Sequence, residues 1–228
     1  MLRPMRTPWL ALLAVAACAS GPRPFPPPVP AIVAQNQAAG DPYSGRFPME
    51  EALRGLPGTG PLHAKLVTDA GEIHCRLDAS SAPIAVATFI GLARGLRPFQ
   101  AEDGGPWILA PFFDGLPFHR AVSGQFVQTG RRGRESPGFV LQDEMSSGHV
   151  FDRAGLLALA NSGQPHSSAA QFFVTSESLA SLDGKHTIFG ACDDEDVIRE
   201  LERRTLAATS SGTPPPVLQR VEISAAGP

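Results

Sequence analysis

What most restricts the fold of this chain is the brevity of its apolar segments. Between residues 62 and 224, short stretches that could extend as strands are divided by glycine- and serine-rich runs, and only two segments keep a helical period. LHAKLVTD and EIHCRLD alternate apolar and polar positions on either side of Ala70-Gly71. That is the pattern of a hairpin with one buried face, with Leu62, Ala64 and Leu66 and then Ile73, Cys75 and Leu77 pointing inward. SSAPIAVATFIGLARG follows as a helix of about three turns, with Ser81 as N-cap, Pro83 in the first turn and Gly95 as the stop. FHRAV, FVQTG, LLALAN, QFFVT and TIFGAC read as strands, DEDVIRELERRT as a second amphipathic helix and VLQRVEIS as a closing strand. Together they predict a mainly β fold, a closed eight-stranded antiparallel barrel capped by two helices, because closure removes the exposed edges that short strands otherwise leave.

The N-terminus stands apart. Arg3 and Arg6 precede an apolar run from Trp9 to Ala17 that is too short to cross a hydrocarbon core of about 30 Å, so residues 1–17 read as a signal peptide. The run ends in VAAC, small residues directly before Cys18, and resembles a bacterial lipobox, in which the cysteine is acylated and becomes the mature first residue. That resemblance implies a protein of the bacterial cell envelope, periplasmic or on the outer surface, held at a membrane through a lipid on Cys18. Residues 18–48 carry prolines at positions 22, 24, 26, 27, 28 and 30 and are expected to form an extended, lipidated linker. The folded domain is expected over residues 49–228, with its core at about 62–224, as a monomer.

A net charge of −3 provides no electrostatic footprint for nucleic acid, and the one basic cluster, Arg131, Arg132 and Arg134, reads as a solvated loop between glycines. With Cys18 set aside, Cys75 and Cys192 remain, and two free buried thiols are expected. His119, His149, His166 and His186 have no metal-ligand spacing, and no metal or other cofactor is implied. The central stretch FHRAVSGQFVQTG joins an arginine, a glutamine and large apolar side chains with no activated nucleophile beside them. It is either a binding strip or the seat of a reaction that needs no nucleophile.

Three motifs in order, FHRAVSGQFVQTG, LLALANSGQPHSSAAQFFVT and LDGKHTIFG, resemble the signatures of cyclophilin-type peptidyl-prolyl isomerases, and VTDAGEIHCRLDASSAPIAVATFIGLARG and FFDGLPFHR extend the likeness over about residues 62–224. The resemblance implies a cyclophilin-like barrel and places the catalytic arginine on Arg120 and its partner on Gln128. It places the residues that hold the substrate backbone on Ala160 and Asn161, and the walls of the proline pocket on Phe126, Phe173, Leu182 and His186. The implied partners are proline-containing polypeptides. Phe172 and Phe173 are adjacent on one strand and must face opposite ways, so one of them belongs to the core. The chain departs from the family at Gln125, where an aromatic residue is usual, at Ser181, where eukaryotic members carry a tryptophan, and in one residue inserted between Asn161 and Gln171. Those departures motivate a second reading, a proline-peptide binding module of this fold with little catalysis.

Overall fold

The structure, a computed structural model, describes residues 25–102, 104–133, 136–145 and 148–225. The signal peptide, Cys18 and Arg134 lie outside the described residues. Helices α1 (Pro30–Ala38) and α2 (Met49–Leu53) lead into β1 (His63–Thr68), β2 (Gly71–Leu77) and helix α3 (Pro83–Ala93). Short strands follow: β3 (Phe99–Gln100), β4 (Trp107–Ile108), β5 (Leu116–Pro117), β6 (Arg120–Val122), β7 (Phe126–Thr129), β8 (Leu156–Leu159) and β9 (Phe172–Thr175). A 3₁₀ turn (Ala180–Leu182), β10 (Ile188–Cys192), helix α4 (Glu195–Ser211) and β11 (Val217–Ser224) complete the chain.

The expected hairpin forms between β1 and β2, with Thr68 opposite Gly71. Ala64, Leu66, Ile73, Cys75 and Leu77 are buried and Leu62 is half-buried against the same core, as the alternation requires. Nine strands make one antiparallel sheet in the order β5-β11-β1-β2-β10-β8-β9-β7-β6, and β3 and β4 pair separately. The edge strands β5 and β6 are joined by only Phe118 and His119. Three peptide steps reach at most about 11 Å, so the sheet must curl until its two edges nearly meet. No ladder joins those edges among the described residues, and the closed eight-stranded barrel is not confirmed: the fold is a curled nine-stranded sheet with more than the two expected helices.

Helix α3 packs against β10 and β11 in the main core with all eleven residues buried. Phe89 meets the rings of Phe113, Phe172 and Phe189 at 5.2–5.4 Å, which centres the core on this helix. Its C-terminus closes as expected at Gly95 (φ 69°), where the Gly95 and Leu96 N–H groups return to the Leu92 and Gly91 carbonyls. Its N-terminus does not use Ser81. The N-cap is Ala82, and the Ile84 and Ala85 N–H groups donate to the carboxylate of Glu144 at 3.0 and 2.9 Å. Burial pushes the Glu144 carboxyl up to about 7, against the lowering effect of those two hydrogen bonds.

Two further sequence expectations need correction. Cys75 and Cys192 are not free thiols but a disulfide, with α-carbons 3.9 Å apart. They face each other in register across β2 and β10 after a separation of 117 residues, a pairing that only the strand order creates. The expected linker is also largely folded. Residues 30–38 are helical, and Asn36, Asp41 and Phe47 are buried against the domain. Proline content describes the start of this segment, but from Pro30 onward its polar groups find distant partners. The fully buried Arg97–Asp41 ion pair at 2.7 Å is one of them.

Candidate active site

Strand register builds the site. Arg120 pairs with Gln128 across β6 and β7, Gln128 with Phe173 across β7 and β9, Phe173 with Ala158 across β9 and β8, and Ala158 with Ile188 across β8 and β10. Residues directly opposite share a face, so these five form one row on the side away from the main core. The next row, Thr129, Phe172 and Leu159, is buried on the opposite side. Phe172 is thus the core member of its pair and Phe173 the cleft member, and a slip of one residue in β9 would exchange them.

The Arg120 guanidinium is exposed, donates from Nη1 to Gln128 Oε1 at 3.1 Å, and has its Cζ 4.9 Å from the centre of the Phe126 ring. Gln128 is buried and passes the support on, its Nε2 donating to Gln171 Oε1 at 2.9 Å. Behind Gln171 lies His119, whose imidazole is held below its usual range chiefly by burial and next by the Arg131 charge, while a hydrogen bond with Gln171 opposes the shift. Both ends of the β6–β7 hairpin are thereby braced. At its tip, Glu202 of α4 accepts the Gly124 N–H at 2.8 Å and the Ser176 hydroxyl.

Beside the guanidinium lies a cleft of about 460 Å³ lined by Arg120, Val122, Gln125, Phe126, Gln128, Ala160, Asn161, Gly163, Phe173, Leu182 and His186. Phe173 forms its floor, with the Phe126 ring 5.1 Å away, the His186 ring edge-on at 5.2 Å, and Phe151 stacked behind at 5.9 Å. His186 Nδ1 is 3.0 Å from the Leu159 carbonyl, which can only accept, so Nδ1 carries the hydrogen. Burial lowers the His186 pKa, which favours the neutral ring. The Asn161 side chain ties its own loop to the segment before β10, accepting the Gly163 N–H at 3.0 Å and donating to the Lys185 carbonyl at 2.7 Å. Ser181 is exposed on the 3₁₀ turn next to Leu182.

Arg120 and the seven other residues that the resemblance marked therefore border one cleft, although they come from six separate segments. Two further residues were missed. Gln171 lies two positions before Phe173, so the period of an extended strand already sets it on the cleft side. Glu202 had no such signal, since it acts from a helix 78 residues beyond Gly124.

A polarised guanidinium braced by a carboxamide, set against an aromatic cleft on a curled antiparallel sheet, defines a protein of the cyclophilin type. The family model described as cyclophilin type peptidyl-prolyl cis-trans isomerase/CLD matches residues 63–227, and the chain belongs to that family. It is 37% identical over 169 residues to peptidyl-prolyl cis-trans isomerase A of Mycobacterium tuberculosis, covering 71% of this chain and 91% of the relative. It is 39% identical over 137 residues to peptidyl-prolyl cis-trans isomerase B of Streptomyces anulatus, covering 59% of this chain and 78% of the relative. A solved cyclophilin type peptidyl-prolyl cis-trans isomerase of Cryptosporidium parvum shares the fold, with a TM-score of 0.60, 24% identity, and coverage of 74% of this chain and 99% of that one. The activity is that of the family, cis-trans isomerisation of peptidyl-prolyl bonds.

Proposed function

We propose that Arg120 is the catalytic residue of this isomerase, that Gln128 holds it, and that Phe126, Phe173, Leu182 and His186 seat the proline ring, with Ala160 and Asn161 beside the substrate backbone. The observation that carries this is the Arg120–Gln128 hydrogen bond at the mouth of the aromatic cleft. Rotation about an X-Pro bond crosses a barrier of about 18–20 kcal/mol without breaking a covalent bond, which is why no nucleophile is required. In the planar amide the prolyl nitrogen shares its lone pair with the carbonyl and is a poor acceptor. At the twisted transition state the lone pair is localised, and a fixed cationic donor then binds it more strongly than in the ground state. One Arg120 N–H is held by Gln128, which aims the guanidinium and leaves other donors for the nitrogen. The apolar walls hold the ring still while the preceding carbonyl turns, and by excluding water they strengthen the arginine's hydrogen bond.

The N-terminal residues support an exported form, anchored through a lipid on Cys18 and acting on proline-containing polypeptides that fold in the bacterial cell envelope. No helix among the described residues is long and apolar enough to cross a membrane. Removing one preorganised donor typically costs about 10²–10³ in rate, so Arg120→Ala is expected to lose that much kcat/KM in a proline-peptide exchange assay while keeping its fold. Near wild-type turnover in that variant refutes the role given to Arg120. Absence of turnover in the unaltered protein would instead favour the binding-module reading motivated by Gln125.

A further inference from the structure

Residues 25–48 precede those that the family model matches, and besides the Asp41–Arg97 ion pair they are bound to the domain through a loop, residues 136–143. Asn36, 1% exposed, engages both backbone groups of Val140, its Nδ2 donating to the carbonyl at 2.9 Å and its Oδ1 accepting the N–H at 2.8 Å. Gln142 makes the reciprocal pair, its Oε1 accepting the Val29 N–H and its Nε2 donating to the Pro27 carbonyl, each at 3.0 Å. Next to Val140 in the chain, the Phe139 ring lies 4.0 Å from Arg97 Cζ, and Arg97 is gripped by both oxygens of Asp41 at 2.7 and 2.8 Å. Gly45 (φ 79°) permits the close approach, since a Cβ there would stand 2.7 Å from the Val140 carbonyl oxygen.

The other edge of the same loop is tied to the segment that follows Asn161. Leu141 N–H donates to the Ser168 carbonyl at 2.7 Å, Asp143 N–H to His166 Nδ1 at 3.0 Å, and His166 N–H to Asp143 Oδ2 at 2.7 Å. Between the two segments opens a second cavity of about 240 Å³, with Pro137 and Val140 on one wall and Ser167 and Ala169 on the other. Gln128, Ala160 and Asn161 border both this cavity and the aromatic cleft. A peptide with its proline on Phe173 therefore meets the second cavity within a few residues. Arg131 and Arg132 also line it, and no carboxylate does among its described lining residues.

We propose that residues 25–48 are a positioning element for substrate selection: through Asn36 and Gln142 they fix Val140, and with it the outer wall of a second cavity that accepts a polar or acidic side chain flanking the proline. The inference rests on the proline being seated at Phe173. Asn36 and Gln142 touch no substrate and act through the loop; Arg131 and Arg132 supply the charge preference.

The test compares Asn36→Ala and Gln142→Ala with Arg94→Ala, which releases the Ala52 and Arg54 carbonyls of the neighbouring helix and leaves the loop alone. Two proline peptides are used in an NMR exchange assay, one with glutamates flanking the X-Pro pair and one with glycines. The unaltered protein should prefer the glutamate peptide. In Asn36→Ala and Gln142→Ala that preference should fall about five- to tenfold through KM, with kcat and glycine-peptide turnover unchanged, as expected for the loss of about one net hydrogen bond's restraint on the wall. Arg94→Ala should lower the Tm and leave the preference intact. An unaltered preference in both loop-anchor variants, or the same loss in Arg94→Ala, overturns the proposal. Failure of the underlying reading looks different, as absence of turnover on both peptides before any substitution. If Asn36→Ala does not fold, Gln142→Ala, at the more exposed end of the strap, decides the question by the same preference.

Discussion

Removing the Cys75–Cys192 bridge should cost this domain a large part of its stability and almost none of its activity. The bridge closes a loop of 117 residues, and the chain-entropy relation for cross-links gives about 5 kcal/mol for a loop of that size. Both cysteines are buried and in register on the core side of β2 and β10, so two alanines there would leave the ladder hydrogen bonds in place and open only small voids. A stability loss of about 4–5 kcal/mol is therefore expected in a Cys75→Ala/Cys192→Ala double variant. With a urea m-value of roughly 2–3 kcal/mol/M, the unfolding midpoint should fall by about 2 M. The measurement is urea unfolding followed by far-ultraviolet circular dichroism, with and without reductant, together with turnover at 25 °C. The Arg120–Gln128–Phe173 row lies on the opposite side of the sheet from the bridge, so turnover should hold. Two results would refute the reasoning: a midpoint indifferent to both reductant and substitution, or alkylation of both thiols in the unreduced, denatured protein.

The Glu144 carboxyl is raised from 4.5 to about 7, so the folded state binds its proton more tightly than the unfolded state does. Its contribution is complete below about pH 4.5 and is lost as pH rises through about 7, on the order of 3 kcal/mol at most. The Tm should accordingly fall less steeply from pH 5 to pH 8 in Glu144→Gln than in the unaltered protein, and equal slopes would count against this reading. Glu202→Ala, which frees the Gly124 N–H and the Ser176 hydroxyl, should destabilise the domain by about 2 kcal/mol and lower kcat/KM several-fold, since the hairpin that carries Arg120 loses its brace. A variant that loses stability but keeps full turnover would show that the brace does not reach Arg120. Cys18→Ser should abolish lipid attachment, seen as the loss of detergent partitioning and of the lipid mass. An unchanged mass and partitioning would remove the lipobox reading.

The site residues were legible through the motifs that resemble the family, and the strand period added only which way neighbouring side chains face. The Arg120 to Gln128 spacing spans one tight hairpin, and alternation alone separates Phe172 from Phe173. The same period could have marked Gln171. Glu202 and Glu144 could not be found in this way. Each is a carboxylate whose partners are backbone N–H groups 78 and 60 or 59 residues away, and a backbone amide leaves no residue-type signal.

The sequence by itself determined the β1–β2 hairpin, the stop of α3 at Gly95, the strands of the cleft and the family-bearing motifs, since each depends on interactions between near neighbours along the chain or on residue types at fixed spacing. Only the tertiary structure decided that Cys75 meets Cys192, that the sheet curls with no closing ladder among the described residues, and that the proline-rich approach from Pro30 onward folds against the loop at Val140. Those outcomes depend on strand order and on which distant backbone groups are left in need of partners. Burial of such groups is favourable only when the partner is in place. Asn36 and Asp41 read as solvated linker residues until Val140 and Arg97 are brought beside them.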